Sequence, residues 1–413
     1  MMKNYKVFID SALWGCESNF INCAKIYQYL VANGHNISND LSKADYIIIS
    51  SCGVVKGAIN HSIQLYKRYY KIKKKDAKII MFGCLVKIDN KLVKTLDAHN
   101  ISFEDVFKLD NFFYNTQKFD SITPHCDKKT KDKLLNNKEP FEFLNETVLI
   151  IPKTLTKINK KFKNNYTQIL RKFTYYKKCF VEISRGCYSD CSYCVIKKAK
   201  GKLQSRRIDD IISDVNKVYN SSKKLHLVSD DCGCYGLDIG TNLFELLYEI
   251  NNKFSDISIE LNNLNPIWLE KYPNKYIKLF KELNIGFVKI PIQSASNKII
   301  KNMNRHYNVE NVISIIDKIK VVSPNTFILN HFIVGFPGES TFDFLKSLKA
   351  SKHFDFSYPF KYSKNKGTTS FSLPSQKSKF IISIRYTIFL INLNFNLTFK
   401  LLKQQVSNKN LIT

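Results

Sequence analysis

No uninterrupted apolar run and no small-residue cleavage site follow the opening stretch MMKNYKVFIDSALWG, so a secretory signal is not expected and the chain reads as intracellular and cytoplasmic. Arginine is scarce: only seven of the 64 basic residues are Arg. That scarcity tempers the formal charge of +29. Clustered cations gain affinity for phosphate by releasing counterions, but a chain rich in Lys, Asn and Ile also arises from an AT-rich genome, and both origins stay open. No repeat of solenoid length occurs, which excludes a stacked-repeat architecture. The apolar segment IISIRYTIFLINLNFNLTFKLL near the C-terminus is interrupted by Arg385 and three Asn, and its longest uncharged stretch is Tyr386–Phe399. That is short of the ~20 residues of a bilayer span, so a packed or truncated tail is expected there and no stable membrane insertion.

What is present is cysteine. Eleven of them in a reducing compartment are better explained by metal or redox chemistry than by disulfides. The 413 residues suit two or three domains, with enough chain for a sizeable core. Periodicity predicts a strand over Lys3–Ile9, a helix over Asn22–Asn33, a buried strand over Ala44–Ser50, a helix over Ala58–Lys71 and a strand over Lys78–Phe82. This alternation implies an α/β domain with a parallel sheet. Cys16, Cys52 and Cys84 each follow one of the strands, and in open α/β sheets the strand carboxyl ends bring such residues together.

Residues 111–172 are Lys/Asn-rich without a clear period and are expected to be a connector, ordered in part at best. From Cys179 the alternation returns. Strands are predicted over Phe180–Ile183, Leu225–Ser229, Ile257–Leu261, Phe287–Ile290 and Thr326–Val334, and helices over Ile208–Tyr219, Leu243–Phe254, Trp268–Leu283, Ser296–Met303 and Val309–Val321. Successive βα units suggest a barrel or partial barrel.

Within SRGCYSDCSYC, Cys187, Cys191 and Cys194 form C-x3-C-x2-C just after a predicted strand. Three soft thiolates on one loop can hold three irons of a [4Fe–4S] cluster and leave the fourth open. The open iron can be chelated by S-adenosylmethionine (SAM), whose sulfonium is then cleaved by one electron to a 5′-deoxyadenosyl radical. A zinc knuckle is the bland alternative, but such a site wants a fourth Cys or His nearby.

The spacing is the signature of the radical SAM superfamily, and VEISRGCYSDCSYCVIKKAKGKLQSR, LVSDDCGCYGLDIGTNL, IPIQSAS, MNR and FIVGFPGES resemble the motifs of its methylthiotransferases in the same order. The resemblance covers most of residues 1–370. It implies an N-terminal methylthiotransferase domain (1–110), the connector (111–172), a radical SAM domain of partial TIM-barrel type (173–370) and a short apolar tail (371–413). It implies that GCESN, SSCGV and FGCLV supply Cys16, Cys52 and Cys84 to a second [4Fe–4S] cluster that carries the sulfur to be transferred. One SAM then gives the methyl group and another the radical, with an electron donor protein as partner.

Under the same resemblance, Gly335 and Gly338 are candidates for close backbone approach to the SAM adenine, and Arg206 for its carboxylate. Asp231, Gln293 and Glu339 are candidates for polar contacts. Cys23, Cys126 and Cys179 lack a partner pattern, while Cys232 and Cys234 occupy the loop where relatives carry Thr-Gly-Ala. The wording SDDCGCYGLDIGTNL and QSAS is closest to the archaeal and eukaryotic branch acting on N6-threonylcarbamoyladenosine beside the tRNA anticodon. A polypeptide side chain is the alternative substrate, and a catalytically degenerate iron–sulfur paralogue the third reading. The family's usual C-terminal RNA-binding barrel has no counterpart among the last 40 or so residues.

Overall fold

The structure is a computed structural model and describes residues 4–10, 16–135 and 178–407. Two compact units divide it, the first over Met1–Lys138, Lys177–Ser189 and Cys194–Ile257, the second over Asp190–Tyr193 and Ser258–Thr413. Strands and helices alternate in both, so the expected α/β class holds.

The first unit opens with β1 (Lys6–Asp10), α1 (Glu17–Ala32), β2 (Asn36–Ile37), β3 (Tyr46–Ser51), α2 (Lys56–Ile72), β4 (Lys78–Gly83), α3 (Cys84–Ile88), α4 (Asn90–Val93) and β5 (His99–Ile101). All strand pairs are parallel, in the order β2-β1-β3-β4-β5. The Ile-rich run YIIISS is buried at every position of β3, as a central parallel strand covered on both faces must be. Ile47, Ile49, Ile79, Met81, Leu85 and Val93 form the core around it, each worth ~1.5–3 kcal/mol when fully withdrawn from water.

The expected connector carries regular structure in its first part. Residues up to 135 carry β6 (His125–Cys126), antiparallel to β7 (Cys179–Glu182), and α5 (Lys128–Leu135), which packs on α1. The anchors are few and scattered: Phe113, Phe119, Cys126, Leu134 and Leu135 are buried, too sparse among Lys and Asn to give a readable period. The remainder of the connector lies outside the described residues, as does Lys3. Beyond β7 the first unit adds the antiparallel pair β8 (Ser184–Arg185) and β9 (Gln204–Ser205), then α6 (Ile196–Lys200), α7 (Ile208–Tyr219), β10 (Lys224–Val228) and α8 (Leu243–Lys253). β10 runs parallel to β7, Leu225 facing Cys179.

In the second unit β11 (Ser258–Leu261), β12 (Ile285–Lys289), β13 (Phe327–Val334) and β14 (Phe356–Lys361) pair in succession, all parallel. The single helix predicted over Trp268–Leu283 is two, α9 (Pro266–Lys271) and α10 (Pro273–Glu282), because Pro273 lacks the N–H that a continuous helix would use. There follow α11 (Asn297–Asn302), α12 (Val309–Val322) and α13 (Thr341–Ala350), the last opened by a capping box of Ser340 and Asp343. The tail forms α14 (Lys379–Ser407). Its buried stripe Ile382, Phe389, Leu393, Leu397 and Leu401 recurs at helical spacing, and the helix packs on β14. By length and composition alone its Lys379–Leu402 stretch could cross a membrane. The sequence count stopped at Arg385, whereas the helix runs through it.

Candidate metal centres

Cys16, Cys52 and Cys84 follow β1, β3 and β4, neighbours in one parallel sheet, so their strand ends lie side by side. Cys16 is the N-cap of α1 and Cys84 the first residue of α3. Cys52 directly follows β3, and its N–H donates to Ser62 Oγ at 3.1 Å. All three are free thiols. Burial pushes each of them up, Cys52 to about 11, and each feels the charge of at least one of the others or of Lys200. At neutral pH they are therefore protonated in the metal-free protein, and metal binding must release protons. Among the described residues no three His, Cys, Asp or Glu side chains are close enough to hold a single metal ion. A [4Fe–4S] cluster takes one thiolate per iron, a wider set.

Beside these thiols lies a buried ion pair that the sequence reading missed. Lys200, 3% exposed, donates to Asp230 Oδ1 at 2.6 Å. Burial alone would discharge the ammonium, but the Asp230 carboxylate reverses this and holds it above its ordinary value. Asp230 Oδ2 accepts the Gly186 N–H at 3.0 Å, so one carboxylate joins the lysine to the residue that opens the second cysteine set. The sequence shows Lys200 only as one of the lysines of KKAKGK, and its partner Asp230 lies 30 residues away.

Cys187, Cys191 and Cys194 share the short loop that follows β8. Gly186 sits at φ +76°, where a Cβ would fall 2.1 Å from Lys202 O, so the entry to Cys187 demands glycine. Gly186→Ala is expected to destabilise the loop by at least the ~1–3 kcal/mol of a strained backbone position. Iron content after anaerobic reconstitution checks this: the variant should lose about half, from one cluster of two. Cys234, buried in the turn after Asp231, donates to Asp231 O at 3.1 Å, and burial, Asp231 and Cys187 push its thiol up.

Residues 181–350 match the Radical SAM superfamily and residues 6–103 match Uncharacterized protein family UPF0004. The chain is 30% identical over 337 residues to the ribosomal protein uS12 methylthiotransferase RimO of Thermosipho africanus, covering 80% of this chain and 69% of that protein. It belongs to the radical SAM methylthiotransferase family. The RimO of Thermosipho melanesiensis is 29% identical over 366 residues, 87% of this chain and 76% of the relative. A tRNA-2-methylthio-N(6)-dimethylallyladenosine synthase of Thermoanaerobacter sp. is 26% identical over 383 residues, 91% and 75% of the two chains. As a member of the methylthiotransferase family the protein is a SAM-dependent transferase with two [4Fe–4S] clusters. The thiols fit that cofactor set: they are soft donors, none is in a disulfide, and Cys16, Cys52 and Cys84 are set beside a buried cation that offsets thiolate charge. When bound, the clusters and SAM supply the radical, the sulfur and the methyl group.

The residues expected to contact SAM in this methylthiotransferase are placed unevenly. Arg206 is held within the fold: its Nη1 donates to Glu182 O at 2.7 Å and its Nη2 to Asp214 Oδ2 at 2.6 Å. The Asp214 carboxylate is fully buried. Asp231 caps the turn over Cys232–Cys234, accepting the Gly233 N–H at 3.1 Å. Gln293, at φ +63°, bridges to β13 through its backbone: its N–H donates to His331 O and its carbonyl accepts from Ile333 N. Gly335 and Gly338 both have positive φ, and a Cβ at Gly335 would fall 2.4 Å from Ile382 Cγ1, so α14 makes the close approach there. Glu339 is 1% exposed, accepts the Gly335 N–H at 2.9 Å and pairs with Arg385 at 2.5 Å.

Proposed function

We propose that this methylthiotransferase inserts sulfur and a methyl group into a C–H bond of N6-threonylcarbamoyladenosine beside the tRNA anticodon. In this reading Cys187, Cys191 and Cys194 hold the SAM-cleaving cluster, and Cys16, Cys52 and Cys84 hold the auxiliary one. The observation that carries the substrate assignment is the place of SDDCGCYGLDIGTNL, the segment whose wording follows the threonylcarbamoyladenosine branch. It starts at the end of β10, where Asp230 bonds Lys200 and Gly186 and Cys234 lies within electrostatic reach of Cys187. In this reading the segment whose wording follows that branch adjoins the loop of Cys187. An anticodon-loop nucleotide suits such a site because single-stranded bases can be splayed out of the stack, and the excess of Lys offers phosphate contacts. The cytoplasm, where tRNA is found, is the setting, with an electron donor protein as redox partner.

A second reading, methylthiolation of ribosomal protein uS12, is favoured by the similarity to the uS12 methylthiotransferases of the two Thermosipho species. Mass spectrometry of digested tRNA and of ribosomal protein uS12, from cells with and without the gene, separates the two. Loss of a methylthio-threonylcarbamoyladenosine with accumulation of its unthiolated precursor supports the first. Unchanged tRNA with loss of a methylthio group from uS12 establishes the second.

A further inference from the structure

The Lys200–Asp230 pair has no part in the chemistry described so far, yet it stands beside the auxiliary thiols. Lys200 ends α6, which packs on α3, the helix that Cys84 begins. Lys198 Nζ donates to Ile88 O at 3.1 Å, pinning the two helices together. The Lys200 ammonium also lies 5.3 Å from the Phe103 ring centroid, and its charge acts on Cys16, Cys52 and Cys84 alike. A buried cation that merely solubilises is a contradiction, because desolvating an ammonium costs several kcal/mol unless something nearby needs the charge. Asp230 offsets part of it, but its second oxygen is spent on the Gly186 N–H.

We propose that Lys200 is a positioning residue for the auxiliary cluster: it sets the cluster's redox poise and steadies its negative charge, while Asp230 fixes it in register with the loop of Cys187. The inference rests on the assignment of Cys16, Cys52 and Cys84 to that cluster. In a low-dielectric site a fixed positive charge favours the more negative oxidation state. Removing Lys200 must therefore make one-electron reduction harder, and neutralising Asp230 must make it easier. A residue that served packing alone would not produce shifts of opposite sign.

The test uses the full chain with Cys187→Ala, Cys191→Ala and Cys194→Ala, reconstituted anaerobically with ferrous iron and sulfide so that one cluster remains. Its midpoint is read by electron paramagnetic resonance during titration with dithionite. In this background Lys200→Met is expected to cut the reduced-to-oxidised ratio about tenfold at the parent midpoint, a fall of about 59 mV for one electron. Asp230→Asn, which can still accept the Gly186 N–H, should move the midpoint upward, and Lys200→Arg should leave it near the parent's. Unmoved midpoints, or shifts of one sign in both neutral variants, overturn the proposal. If Lys200→Met takes up no iron, Asp230→Asn decides alone: a raised midpoint supports the role and an unmoved or lowered one overturns it. A parent that binds no cluster overturns the cysteine assignment itself, and the proposal with it, which is a distinct result.

Discussion

Replacing any one of Cys187, Cys191 or Cys194 with Ala is expected to abolish cleavage of SAM to 5′-deoxyadenosine, while Cys16→Ala, Cys52→Ala or Cys84→Ala leaves that cleavage intact and stops methylthiolation. The division follows from position. The first set lies on one loop opened by Gly186, whereas the second is assembled by three parallel strands whose fold does not depend on that loop. Each variant should also lose about four of about eight irons, since each cluster contributes four. The check is anaerobic turnover with dithionite, following 5′-deoxyadenosine by chromatography and product by mass spectrometry. Methylthiolated product from Cys84→Ala would remove the auxiliary role; 5′-deoxyadenosine from Cys191→Ala would remove the triplet's.

The central strands β3 and β4 of the first sheet were legible because a parallel sheet demands continuous apolar runs, and ADYIIIS and KIIMF supply them, whereas the short edge strands β2 and β5 carry no such run. Cys52 and Cys84 were placed by the same signal, each directly following such a strand. Lys200 was not. A lysine in KKAKGK looks like any solvated cation, and only the fold brings Asp230 from the end of β10 to bury it. The surroundings of Asp214 were not legible either: in the structure Thr123, Arg206 and Lys217 converge on it, and Thr123 lies 91 residues away in sequence. The tail shows the same limit. Arg385 and the Asn residues looked like interruptions of an apolar run, yet Arg385 meets Glu339, and Asn392 and Asn394 donate to Ser351 Oγ and Leu390 O. Partners distant in sequence, rather than local propensity, account for Lys200, Asp214, Arg385 and Asn392, while Asn394 bonds within its own helix.

The Glu339–Arg385 pair makes the tail's contribution measurable. Arg385→Met is expected to destabilise the protein by ~3–5 kcal/mol, the cost of leaving one buried charge without its partner. Glu339 is 1% exposed and Arg385 8%, so water cannot take the partner's place. Burial already pushes the Glu339 carboxyl above its usual value despite the Gly335 N–H and the Arg385 guanidinium; without Arg385 it rises further. The sign of the pH dependence follows. A carboxyl with a raised folded-state pKa favours folding below its unfolded value of about 4.5 and costs stability as pH climbs through the folded value. The Arg385→Met deficit should therefore be larger at pH 7 than at pH 5 and shrink as pH falls toward 4.5. Glu339→Gln combined with Arg385→Met removes both charges while keeping an acceptor for Gly335, and most of the loss should return. Urea unfolding of the three proteins at pH 7 and pH 5 reads all of this. A double variant as unstable as the single one would mean that α14 is held by its apolar stripe and by the Arg385 bond to Glu339 O at 3.1 Å, with the ion pair incidental.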